Sequence, residues 1–180
     1  RLFIFKELLE LKKDKNWNLW KKLLKENNIG YPVPFFLYPK SSGNRIRQIF
    51  ILKQFYETLD RNKLKNIKNI VEIGGGYGCL AQVFSKINKN INYTIYDMYE
   101  VNLLQYYFLK MNNLKPNLNS ITSKTNLINK LDLLKKLYKK KSKKILIANW
   151  SISEFPSKFR VKFLPFIKNS EHAIISFQSN

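Results

Sequence analysis

Cysteine is almost missing from this chain: Cys79 is the only one in 180 residues. That excludes a disulfide framework and a zinc site built from cysteines. A reducing, cytoplasmic setting fits a lone thiol. No apolar run approaches the ~18 residues that a membrane span needs. The opening "RLFIF" is too short and too closely followed by charge to act as a signal peptide. Carboxylates are scarce too, with 12 Asp and Glu against 33 Lys and Arg, and none cluster at metal-ligand spacing. No metal site is therefore expected. Glycine numbers only six, yet four of the six fall within residues 74–78.

What is present suits a globular domain. Apolar residues make up 44% of the chain, enough for a core. The net charge of +21 points to nucleic acid, an anionic membrane or a phosphorylated ligand. Lys, Asn and Ile are abundant together, so a biased composition explains the same charge.

Apolar spacing predicts two helices over residues 2–29, with Leu2, Phe5, Leu8 and Leu9, then Trp17, Trp20, Leu23 and Leu24, inward. Gly30 is a plausible helix stop, and the prolines of "YPVPFFLYP" forbid regular structure after it. "SSGN" offers caps for a helix from about 45 to 60, with Ile46, Ile49, Phe50, Tyr56 and Leu59 inward. From about residue 68 short apolar runs alternate with amphipathic helices. The expected strands are "NIVEIGG", "NYTIYD", the weak "NSITS", "KILIANW" and "HAIISFQ". Between them come helices at "CLAQVFSKI", at "EVNLLQYYFLKM" with Leu104, Phe108 and Met111 inward, at 125–140 with Leu127, Leu131, Leu134 and Tyr138 inward, and at "PSKFRVKFLPFI". Strands alternating with helices predict an α/β fold with a parallel sheet covered on both faces.

The glycine run falls where the first of these strands turns into a helix. Missing side chains there let main chain bend sharply and approach a ligand. The following helix N-terminus offers free N–H groups. Asp97, at the end of the second strand, is placed to accept ribose hydroxyls. Together they predict a nucleoside-containing cofactor lined by Gly74, Gly76 and Gly78. A dinucleotide fingerprint needs a third glycine where Cys79 stands. A glycine-rich turn with no cofactor, and a nicotinamide site, remain the alternatives.

The run Glu72-x-Gly74-x-Gly76-x-Gly78 resembles motif I of class I S-adenosylmethionine-dependent methyltransferases. Three segments together, "VEIGGGYGCLAQVF", "YTIYDMYEVNLLQYYFL" and "ILIANWSISEF", resemble a narrower group, the sugar O-methyltransferases of bacterial polysaccharide biosynthesis. The likeness spans about residues 69–178. Met98-Tyr99 replace the Leu-Pro usual in that group, and Trp150 stands inside the third motif. The resemblance implies a Rossmann-like class I methyltransferase core over residues 67–180, of strand order 3-2-1-4-5, behind an N-terminal helical region, residues 1–66. That fold carries seven strands, the last two a hairpin, whereas this chain stops after the fifth. With Arg1 in place of Met, this leads to the expectation of a piece of a longer enzyme.

The resemblance also implies roles, each beside a plainer one. Glu72 would orient the turn or reach the methionine end of S-adenosyl-L-methionine; otherwise it holds backbone amides. Gly74, Gly75, Gly76, Tyr77 and Gly78 would run along the methionine and ribose. Met98 would pack on adenine or in the core. Asn149 and Trp150 would line the methyl end, or Trp150 would plug the core. Removing a proton from a sugar hydroxyl calls for a base. Glu154 is the candidate, unless it caps the next helix or pairs with Arg160 or Lys158. Ser151 and Ser153 would orient substrate hydroxyls or serve as caps. Arg160, with Lys40, Arg45, Arg47, Lys124 and Lys158, would hold the pyrophosphate of a nucleotide-linked sugar. His172 starts the fifth strand, on the amino side of the sheet and away from the crevice.

The lysine runs "KLKNIKN", "KINKNIN" and "KKLYKKKSKK" each precede a strand, opposite the crevice. A nucleic-acid enzyme needs its positive surface around the crevice, so this placement argues against nucleic acid. The expected activity is O-methylation of a sugar or nucleotide-sugar. The N-terminal helices would form a lid or a contact within a homo-oligomer. A nucleic-acid or protein methyltransferase and a non-catalytic, truncated binding domain are the other classes.

Overall fold

A computed structural model of the chain describes residues 2–58, 68–122 and 124–177. The chain divides into two compact units, Arg1–Leu64 and Lys65–Asn180.

In the first unit, α1 (Leu2–Lys13), α2 (Trp17–Leu24) and α3 (Gly43–Thr58) surround Leu8, Leu11, Trp20, Leu23, Ile46 and Ile49. Ser42 caps α3, its Oγ accepting the Arg45 N–H at 3.1 Å. Arg45 is fully buried, and its Nε and Nη2 both donate to the Leu23 carbonyl, at 2.9 and 2.8 Å. It thereby satisfies a carbonyl that the end of α2 leaves unpaired. Arg45 is thus a structural cap, closed to any external pyrophosphate, and Arg47 pairs with Glu7 at 2.7 Å. Leu2 is exposed instead of inward, and α1 buries Ile4 and Leu11. The proline-rich segment also departs from expectation. It forms a hairpin, β1 (Pro34–Phe35) against β2 (Tyr38–Ser42), because Pro34 needs no ladder donor at an edge. Leu59, expected inward at the end of α3, lies outside the described residues.

The second unit is α/β and Rossmann-like in general. Its strands are β3 (Asn69–Ile73), β4 (Asn92–Tyr96), β5 (Pro116–Leu118), β6 (Thr125–Ile128), β7 (Ile145–Asn149) and β8 (His172–Ser176). They form one six-stranded sheet of order β5-β6-β4-β3-β7-β8, with every described pairing parallel. Two expectations are corrected here. "NSITS" is not a strand among its described residues; "TNLI" is the strand beside β4, and β5 adds one further out. Leu127 is therefore buried in the sheet rather than on a helix.

The helices are α4 (Cys79–Ile87), α5 (Tyr99–Met111), α6 (Leu131–Lys139), α7 (Ser151–Glu154), α8 (Ser157–Arg160) and α9 (Leu164–Lys168), with a 3₁₀ turn at Val161–Phe163. The single helix expected over "PSKFRVKFLPFI" is thus broken into three short pieces. On one sheet face Val71, Ile73, Tyr96, Ile128, Leu146 and Ala148 pack with Leu134, Phe163 and Phe166. Each Val, Leu, Ile or Phe among them contributes about 1.5–3 kcal/mol of burial. On α5, Phe108 is buried, but Leu104 and Met111 are exposed, contrary to the predicted face. Asn102 and Gln105 take the inward positions instead. Packing this fold leaves the carboxyl ends of β3, β4 and β7 side by side, where the glycine turn lies.

Candidate functional site

Glycine at 74–78 answers several demands at once. Gly74, Gly76 and Gly78 have φ of +72°, +54° and +97°, which L side chains rarely adopt. A Cβ on Gly74 would stand 2.3 Å from Ser151 Cβ, and one on Gly75 would stand 2.7 Å from Ile95 Cγ2. On Gly78 it would meet Leu109 at 3.3 Å. These three glycines let α7, β4 and α5 close onto the turn. Gly76 differs: a Cβ there would meet nothing within 4 Å. One glycine of the run faces open space, and the others are required by the protein's own packing.

The turn is tied across to β4. Gly74 N–H donates to the Tyr96 carbonyl at 2.9 Å, and Gly75 N–H to Asp97 Oδ2 at 2.9 Å. Gln105 Nε2 donates to that same Oδ2 at 2.8 Å and to the Gly76 carbonyl at 2.9 Å. Asp97 Oδ1 accepts the Met98 N–H at 2.9 Å. Oδ2 thus has both lone pairs engaged, while Oδ1 keeps one. Burial pushes the Asp97 carboxyl up, opposed by the Met98, Gln105 and Gly75 donors. Nothing in the local sequence marks Gln105 as a site residue. It stands in the "LQYYFL" segment, but only the folded arrangement reveals its two bonds. Tyr77 packs edge-on against Phe108, with centroids 4.8 Å apart.

Glu72 lies behind the turn, fully enclosed. Its Oε2 accepts the Tyr93 hydroxyl at 2.9 Å. Burial pushes its carboxyl up to about 8, opposed by the Tyr93 bond and helped by the Asp97 charge. At neutral pH it is mostly a neutral acid.

The third segment closes the site from β7. Ser151 is buried, and its Oγ donates to the Ile73 carbonyl, joining the start of α7 to the end of β3. Asn149 Oδ1 accepts the Ser176 hydroxyl at 3.0 Å. Trp150 has φ +61°, in the left-handed region, with its N–H on the Ser176 carbonyl at 2.8 Å. Ser153 Oγ donates to the Trp150 carbonyl at 2.7 Å. Arg160 donates to the carbonyls of Phe155 and Ser153, at 2.6 and 2.5 Å. Ser151, Ser153 and Arg160 therefore shape the main chain after β7. Glu154 is exposed and forms no ion pair with Arg160 or Lys158. Met98 is 67% exposed, which removes the core reading for it.

The structure brings Glu72, the glycines, Asp97 and Ser151 together. Lys124 is not with them: it precedes β6 and donates to the Lys89 carbonyl and Asn90 at the amino edge, at 3.1 and 3.2 Å. Around the turn, residues 74–78, 97–100 and 150–154 carry Asp97, Glu100 and Glu154 but no Lys or Arg. Among the described residues no group of three or more His, Cys, Asp or Glu gathers to hold a metal ion. No described helix is long and apolar enough to cross a membrane. No family model matches the chain, and no curated protein matches it either.

Proposed function

We propose that the chain is a cytoplasmic S-adenosyl-L-methionine-dependent O-methyltransferase that acts on a sugar. The observation that carries this is the pairing of Gly76, open to its surroundings, with Asp97, clamped by three N–H donors yet keeping one lone pair on Oδ1. A nucleoside can lie along such bare main chain while a ribose hydroxyl donates to Oδ1. Residues 74–78, 97–100 and 150–154 carry three acids and no Lys or Arg, and the lysine runs precede strands, which disfavours a phosphate backbone as acceptor.

Bound there, S-adenosylmethionine supplies a methyl group on a positively charged sulfur. The chain's own contribution is largely positioning. Gly74–Gly78 and Asp97 would hold the nucleoside, and Met98 is exposed beside Asp97 to cover the base. Asn149 and Trp150, at the carboxyl end of β7, would line the methyl end of the donor. Glu154, exposed at the end of α7, is the candidate to accept the proton of a sugar hydroxyl. The sugar as acceptor rests on the resemblance of the three segments, and it extends to a nucleotide-linked sugar or a polysaccharide.

Calorimetry with S-adenosylhomocysteine on the full chain tests this. The parent binds, and Asp97→Ala, with an unchanged circular dichroism spectrum, binds roughly tenfold to a hundredfold more weakly. A parent that does not bind, or a variant that binds equally, contradicts the assignment.

A further inference from the structure

The first unit carries a feature that the glycine site leaves unused. Four large apolar side chains within residues 31–37 face outward: Tyr31, Val33, Phe36 and Leu37 are 90%, 82%, 66% and 45% exposed. Phe36 and Leu37 form the two-residue tip between β1 and β2, since Phe35 pairs with Tyr38. Beside the hairpin is a depression of about 510 Å3, lined by Lys21, Lys22, Lys25 and Lys40, with Tyr38, Asn18 and one acid, Glu26, whose Oε2 accepts the Ser42 N–H at 2.8 Å. The Glu26 N–H donates to the Lys40 carbonyl at 3.1 Å, which fixes the end of α2 alongside β2. Lys40 is only three residues from Leu37 along the strand, about 10 Å away. The result is an apolar tip with a basic collar.

Exposed apolar clusters of this kind mark contact sites for proteins or membranes. Charge decides between them here. A second copy of this chain brings the same +21 to the same collar, and like charges oppose that contact. An anionic bilayer complements both parts: apolar side chains enter the acyl boundary, and lysines reach the phosphate headgroups. We propose that this hairpin docks the chain on an anionic lipid bilayer, with Phe36 and Leu37 inserted and Lys21, Lys22, Lys25 and Lys40 at headgroup level. This holds whether or not the second unit transfers methyl groups.

Co-sedimentation of the full chain with vesicles tests it. The parent partitions onto phosphatidylcholine vesicles containing phosphatidylglycerol and much less onto phosphatidylcholine alone. Phe36→Ser with Leu37→Ser, at exposed positions, reduces the partition coefficient on the order of tenfold. Lys21→Glu with Lys40→Glu does the same. Lys140→Glu with Lys141→Glu, an equal change of net charge in the other unit, has a much smaller effect. The proposal is overturned if the parent ignores anionic vesicles, if the tip variant partitions like the parent, or if the two lysine pairs act equally. It is also overturned if the tip variant instead loses self-association in light scattering, which would assign the tip to a second copy.

Discussion

Gly74 and Ser151 are packed as one unit at the carboxyl end of the sheet. Both the positive φ of Gly74 and the 2.3 Å approach forbid a side chain there. Gly74→Ala is therefore expected to cost more than about 3 kcal/mol in urea unfolding. Pairing it with Ser151→Gly restores part of that loss, because the clash goes while the φ strain stays. A double-mutant cycle that shows no coupling would contradict the contact. Glu72 gives a prediction in pH. Its folded carboxyl titrates at about 8, above the ordinary 4.5, so the folded chain holds a proton that the unfolded chain releases. Between those values the unfolded state binds fewer protons, and stability falls as pH rises. Glu72→Gln keeps an acceptor for Tyr93 and removes this loss. The variant should match the parent near pH 4.5 and gain on it by up to about 1.4 kcal/mol per pH unit towards pH 8. Urea midpoints that move in parallel across this range would contradict an enclosed, neutral Glu72.

At the scale of elements, caps and clasps decide what the glycine turn can do. Ser42→Ala removes the oxygen that meets Arg45 N–H and should cost about 1 kcal/mol in thermal or urea unfolding. Gln105 clasps the turn to β4 from a fully buried position on α5. Gln105→Leu should weaken nucleoside binding while leaving the sheet intact, measured as affinity for S-adenosylhomocysteine beside the far-ultraviolet spectrum. Much of this region was legible in the sequence. The strand before the glycines, the helix after them and Asp97 all follow from apolar runs and turn chemistry. "TNLI" was not, for a physical reason: all four residues are buried, so it shows no alternation. Leu127, Leu131, Leu134 and Tyr138 meanwhile match a helical period. On α5 the inward face is polar at Asn102 and Gln105 because it meets the turn and the carbonyls around Asp97, and apolar spacing cannot show that. The contacts of Gly74 with Ser151 and of Gly78 with Leu109 join distant parts of the chain, beyond what any local pattern records.

At the scale of the molecule, lysines gather before the strands of the sheet. Lys68, Lys89, Lys124, Lys140, Lys141 and Lys143 precede strands and lie at the amino ends. Residues 74–78, 97–100 and 150–154 at the other rim carry acids and no Lys or Arg, while Lys130 follows β6 and Arg160 bonds the Ser153 carbonyl. A net charge of +21 repels itself, and salt screens that repulsion. The melting temperature should rise between about 0.02 and 0.3 M sodium chloride, roughly the range over which the Debye length falls below about 10 Å. A falling melting temperature would mean that ion pairs outweigh the repulsion. In the proposed reading, the open side of Gly76 and the spare lone pair of Asp97 mark one place for a nucleoside. Amide chemical-shift mapping of the labelled full chain during titration with S-adenosylhomocysteine tests that place most directly. The amides of residues 74–78 and 97–98 should move together and saturate with a single dissociation constant. Saturable shifts centred elsewhere, or none at these residues, would contradict it.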